Sequence, residues 1–369
     1  MRTEHAAPCG QIRRGLGGWL WAGFVSLCVP AVAFGQPSGL VEFRVGDRSQ
    51  VGLRLAESDR ETVIMGRDGW LHAIRSNSAS VRPIAGRYEP VSAAELRNEL
   101  RGEFGQRFEV IATANFLVVQ PRGRGQTWPD LFEQSHRAFL DYMRKRGVPL
   151  RQGRFPMVAV VFPDSGSMYA EFARQGIDVS RVAGLYSNSS NRVMTHDGGH
   201  RSLVAATVRH EAAHQSAFNS GVHSRVNETP KWITEGIGQM FEPESMSDPR
   251  GASRWTDRIN HDSMRVLKQD VARHGSASFL EDVADLIRGD DAFHEPSRIE
   301  RAYAVAWAMM FFLGERQPDR FRDILHFTAT RPPFQGYPPG QRLIDFERTV
   351  GQDAGGFARQ VLWMVESVR

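Results

Sequence analysis

The stretch that most constrains this chain is LVAATVRHEAAH, Leu203 to His214, in which His210 and His214 stand four apart and Glu211 follows the first. A 3.6-residue turn stacks positions i and i+4 on one helical face, whereas a strand would set them roughly 13 Å apart. The pair can act together only on a helix, and the flanking residues predict one. Ser202 offers an N-cap, Leu203, Val204 and Val208 a buried stripe, and Gly221 a C-terminal stop. Two imidazoles so placed can hold one Zn²⁺, and a zinc ion makes water acidic enough for Glu211 to take its proton.

Zinc needs a third protein ligand. A route through a glycine and a histidine three and six residues after the motif is closed, because Ala217 and Ser220 stand there. A glutamate on a second helix remains, and Glu235 lies 21 residues beyond His214. Thr229 and Pro230 read as N-cap and first helical residue, and Trp232, Ile233, Ile237, Met240 and Phe241 supply an apolar surface. Glu235, flanked by Gly236 and Gly238, then sits on a largely buried helix, where a carboxylate is costly without a cation or partner. Glu228, Glu242 and Glu244 fall in loop or helix-end sequence and are less constrained.

The rest of the chain bounds the answer. With 369 residues, 41% hydrophobic and 24% charged, it has the balance of a globular protein of two or three units. Its formal charge of +4 comes from scattered arginines, with lysine only at 145, 231 and 268, which is no footprint for nucleic acid. Arg13 and Arg14 precede an apolar run from Leu16 to Ala33, interrupted by Gly17, Gly18 and Pro30 and followed by Gly35. This predicts a secretory signal peptide over 1–35, no stable membrane insertion after its removal, and a periplasmic or extracellular protein. Both cysteines, Cys9 and Cys28, lie in that leader, so the exported chain has no disulfide to form.

Short β-favouring stretches such as 41–45 and 62–65, with an Asp68-Gly69 turn, predict a small β-module over 36–92. From 93 on, a polar helix, buried strands within 108–119, an amphipathic helix over 128–146 and an apolar strand over 157–162 predict an α+β domain. Helices carrying the zinc residues occupy about 202–242, and a mostly helical part about 255–369 is broken by the Pro/Gly-rich stretch 331–340.

HEAAH followed by PKWITEGIGQMFE resembles the peptidase-MA-like gluzincins, in particular a bacterial secreted family. GRDGWLHAI, FEVIATANFLVVQPRG, FPMVAVVF, AGLYSNSSNRVMTHD, YAVAWAMMFFL and FERTVGQDAGGFARQVLW resemble that family in the same order. The resemblance implies a mixed sheet in the domain over 93–369, zinc on His210, His214 and Glu235, Glu211 as general base, and peptide-bond hydrolysis. Two departures limit it. No G-x-M-E-N segment precedes the zinc helix, which leaves aminopeptidase specificity without support. Gln239 stands where related enzymes carry an acid that orients a zinc histidine, and could itself accept the imidazole N–H.

Tyr303, opening an apolar helix, is the candidate donor to a developing oxyanion, with His223 as alternative. Arg192 and Val193 are candidates for the edge strand along which a peptide would lie. Asp197 and His200 could support the centre from just before the zinc helix, while His196, His261 and His294 read as surface or satisfied residues. The expected activity is that of an exported zinc metallopeptidase acting on a peptide or protein. The competing expectations are a non-catalytic envelope scaffold and a zinc amidase acting on cell-wall peptides.

Overall fold

The computed structural model describes residues 39–76, 80–176, 182–248 and 253–368; the expected leader lies outside them. The architecture is α+β, with an antiparallel sheet, a mixed sheet and a mostly helical second half.

Alternating burial over Gly39–Val45 (β1), Arg48–Glu57 (β2), Glu61–Gly66 (β3), Leu71–Arg75 (β4) and Val81–Pro83 (β5) builds an antiparallel sheet in the order β4-β3-β2-β1-β5. Its core of Val41, Phe43 and Ile64 is small. The module is anchored to the larger unit: Leu71 N–H donates to Ser189 O at 2.8 Å, and the Arg192 guanidinium lies 5.4 Å from the Trp70 ring centre.

The larger unit opens with Ala93–Phe104 (α1), started by a capping box in which Ser92 Oγ accepts from Glu95 N–H and Glu95 accepts from Ser92 N–H. Then come Phe108–Ala112 (β6), Phe116–Pro121 (β7), Thr127–Lys145 (α2), Met157–Phe162 (β8), Ser165–Arg174 (α3), Gly184–Ser187 (β9) and Arg192–His196 (β10). The sheet order is β6-β7-β8-β10-β9, parallel where β8 meets β7 and β10, antiparallel at both ends. All six residues of β8 are buried, as a strand covered on both faces requires. Val160 and Met194 meet Leu100 of α1 and Phe172 of α3 on one face, while Ala159 and Val193 meet Phe132 and the next helix on the other. Arg192 and Val193 are therefore interior: β10 lies between β8 and β9, and the edge beside the helix that carries His210 and His214 is β9.

Arg201–Ser220 (α4) and Lys231–Phe241 (α5) follow, then Glu244–Ser247 (α6), His261–Arg288 (α7, broken at Gly275), Ile299–Arg316 (α8), Pro318–Ala329 (α9), Pro339–Val350 (α10) and Ala354–Ser367 (α11). The break expected over 331–340 separates α9 from α10. α8 is buried almost all round, with Trp307, Met310 and Phe311 within 1% of full burial, so it is the axis of the helical half. Each such side chain contributes about 1.5–3 kcal/mol of apolar burial. No helix among the described residues is long and apolar enough to cross a membrane.

Candidate metal centre

α4 begins at Arg201 with His200 as its N-cap, so Ser202 is already inside the helix and its hydroxyl lies 3.1 Å from His200 Nδ1. Gly221 ends the helix in the left-handed conformation, φ +81°, as its sequence position predicted. α5 starts at Lys231: Pro230 is extended, φ −53° and ψ 137°, and takes the N-cap place expected of Thr229.

The two helices bring His210, His214 and Glu235 together, with one ligand atom of each within 4.8 Å of the others. His210 Nε2 and His214 Nε2 are 2.9 Å apart, and Glu235 Oε2 lies 3.4 and 3.5 Å from them. Donors held tetrahedrally at zinc-ligand distance lie about 3.3 Å apart, so this set fits a zinc ion with only a slight opening of the histidine pair. Two imidazole nitrogens facing each other and a carboxylate demand a cation or a shared proton. Although burial opposes its charged form, His210 is held well above the usual histidine range by hydrogen bonds to Glu235 and Glu242. Burial likewise opposes Glu235 ionisation, but the two histidines hold it well below the usual carboxylate range.

The residue that orients His210 is Glu242, not Gln239. Glu242 Oε1 lies 2.9 Å from His210 Nδ1, and Gln239 instead donates to that same oxygen at 2.8 Å. Asn260 donates to Glu242 Oε2 at 3.0 Å, and Ser263 to Gln239 Oε1 at 2.9 Å. A carboxylate on the far nitrogen fixes a histidine ligand's tautomer and makes it more basic. Gly238 lets the ring in: a Cβ there would stand 2.5 Å from His210 Cε1.

Glu211 is buried on the same helix, and its Oε2 accepts from Tyr186 N–H of β9 at 2.7 Å. The edge strand thus aims the carboxylate. The Tyr303 ring centre lies 6.4 Å from that of His210, and its hydroxyl hydrogen-bonds Glu235. Burial, with the charges of Glu235 and Glu211, pushes the Tyr303 phenol well above its usual range. His223 is 2% exposed, packs edge-on to Phe218, and has neither ring nitrogen bonded. Burial and the nearby His214 push it down to about 3, so it is neutral. Asp197 pairs with Arg124 at 3.0 Å and His200 caps α4; neither bonds a residue of the centre.

Sequence reasoning set Glu242 aside as helix-end sequence and missed Tyr186. Glu242 follows Glu235 by seven residues, two helical turns, which was the available signal; Tyr186 acts through its backbone and left none.

A family described as a protein of unknown function, DUF1570, is similar to the chain over residues 204–335, from α4 to the stretch between α9 and α10. Among curated proteins no relative matches.

Proposed function

We propose that the chain is an exported zinc-dependent metallopeptidase. The observation that carries this reading is the convergence of His210, His214 and Glu235 on one point, beside a Glu211 carboxylate oriented by the edge strand. A zinc ion held by the three residues would supply Lewis acidity, acidifying water and polarising a carbonyl. Glu211 takes the proton of the attacking water and delivers it to the leaving amine, so the amide and water become an acid and an amine. Tyr186 N–H keeps that carboxylate from turning away. Tyr303, beside Glu235, donates to the oxygen on which charge develops. The leader-like segment 1–35 supports export.

Elemental analysis of the purified chain should find about one zinc per molecule. Glu235→Ala should lose it, whereas Glu211→Gln should keep zinc and lose hydrolysis of a peptide library. A wild-type chain that stays metal-free with zinc supplied, or an active Glu211→Gln variant, would overturn the reading.

A further inference from the structure

Beside the metal centre lies a pair of side chains that the reaction above does not use. Lys231 opens α5 one turn before Glu235, so both side chains share a helix face. Lys231 Nζ donates to His294 Nε2 at 3.2 Å. His294 follows a short 3-10 turn, Asp291–Phe293, whose Phe293 packs edge-on to Tyr303 with ring centres 5.4 Å apart. Lys231 thus shares its helix with Glu235, and His294 directly follows the residue that packs on Tyr303.

The ammonium has no carboxylate within 4 Å among the described residues. Its acidic neighbours are engaged elsewhere. Asp290 accepts from both Nη atoms of the buried Arg342 at 2.9 Å and from Lys231 N–H at 3.0 Å. Glu228 also accepts from Arg342, and Glu235 faces the two histidines. What remains is a half-buried positive charge, one helical turn from Glu235 and hydrogen-bonded to an exposed imidazole. A half-buried charge of this kind is stabilised by an opposite charge that can accept its hydrogen bonds.

We infer that Lys231 and His294 form a carboxylate-binding subsite, which holds either the free C-terminus or an Asp or Glu side chain of the peptide substrate. The inference rests on the peptidase reading for the identity of the ligand. Carboxylates are the only anions an unmodified peptide carries, and Asp290 and Glu235 nearby disfavour a dianion such as phosphate.

The test uses one neutral peptide as free acid and as amide, and amidated versions with a single Glu moved along the sequence. Binding is measured on metal-free wild type and on Lys231→Met, which keeps the aliphatic stem, and hydrolysis on the zinc-loaded wild type. A free-acid or Glu-bearing peptide should bind about tenfold tighter than the neutral amide, and Lys231→Met should abolish the preference. The arm that shows the preference identifies its source. His294→Ala, at an exposed ring, should reduce the preference and serves if Lys231→Met does not fold. Equal binding of all peptides, or a preference that survives both substitutions, overturns the subsite. Hydrolysis without acid preference overturns the subsite and leaves the peptidase reading standing; acid-selective binding without hydrolysis does the reverse.

Discussion

A histidine can offer a metal only the nitrogen that its other hydrogen bond leaves free, so Glu242 decides what His210 can do. With Glu242 placed to accept from Nδ1–H, Nε2 is the nitrogen left to face His214 and Glu235. Removing the carboxylate in Glu242→Ala should weaken zinc affinity about 10- to 100-fold in a chelator competition, with the fold retained. An unchanged affinity would mean that the tautomer is fixed some other way. That His210, His214 and Glu235 converge was legible, because the spacing of each residue dictates its helix face. The role of Glu242 was not, because a residue just past a helix end can turn either way, and Gln239 and Asn260 bonding to its two oxygens fix the direction. His294 read as a surface histidine and is exposed; what sequence could not place is its partner, Lys231, 63 positions away.

Elements here are placed by how closely backbones can approach. A Cβ on Gly236 would stand 2.5 Å from Ala306 O, and backbone cannot step aside as a side chain can. Gly236→Ala should therefore push α5 off α8 at a cost of about 1–3 kcal/mol, read as a lower midpoint in denaturant unfolding. A midpoint unchanged from wild type would show that the two helices can separate freely. Gly236 and Gly238 flank Glu235 in the sequence, yet that one faces α8 and the other the His210 ring belongs to packing. Strand order behaves the same way. β10 reads as a good strand, but whether it is edge or interior depends on which strand pairs its free side, and β9, only four residues long, takes that place. α5 starts one residue later than expected because Pro230 itself has an extended ψ of 137° and so stands before the helix as its cap.

At the scale of the whole molecule, α2 and α4 pack on the same face of the mixed sheet and are joined by a buried polar pair, His136 Nδ1 and Ser216 Oγ, 2.9 Å apart. Burial, only partly offset by Glu133, pushes His136 down to about 4. An unfolded histidine titrates near 6.5, so the unfolded chain binds this proton first. The stabilisation is complete above that value and is lost as the pH falls from about 6.5 towards 4, by up to about 3 kcal/mol. His136→Asn, which can still bond Ser216, should flatten stability against pH over that window in urea titrations; an identical slope would exclude His136 as the cause. The sequence by itself determined the α+β class, the β-stretches of the first module, the helices over 202–242 and the three residues that converge on one point, because periodicity and spacing are local properties of a helix or strand. Tertiary structure alone decided that β9 forms the edge, that Tyr186 N–H holds Glu211, that Glu242 backs His210, and that Arg342 occupies Asp290 and Glu228 while the Lys231 ammonium has no carboxylate partner among the described residues. Each of these joins residues far apart in the chain, and which distant groups meet is set by how whole elements pack.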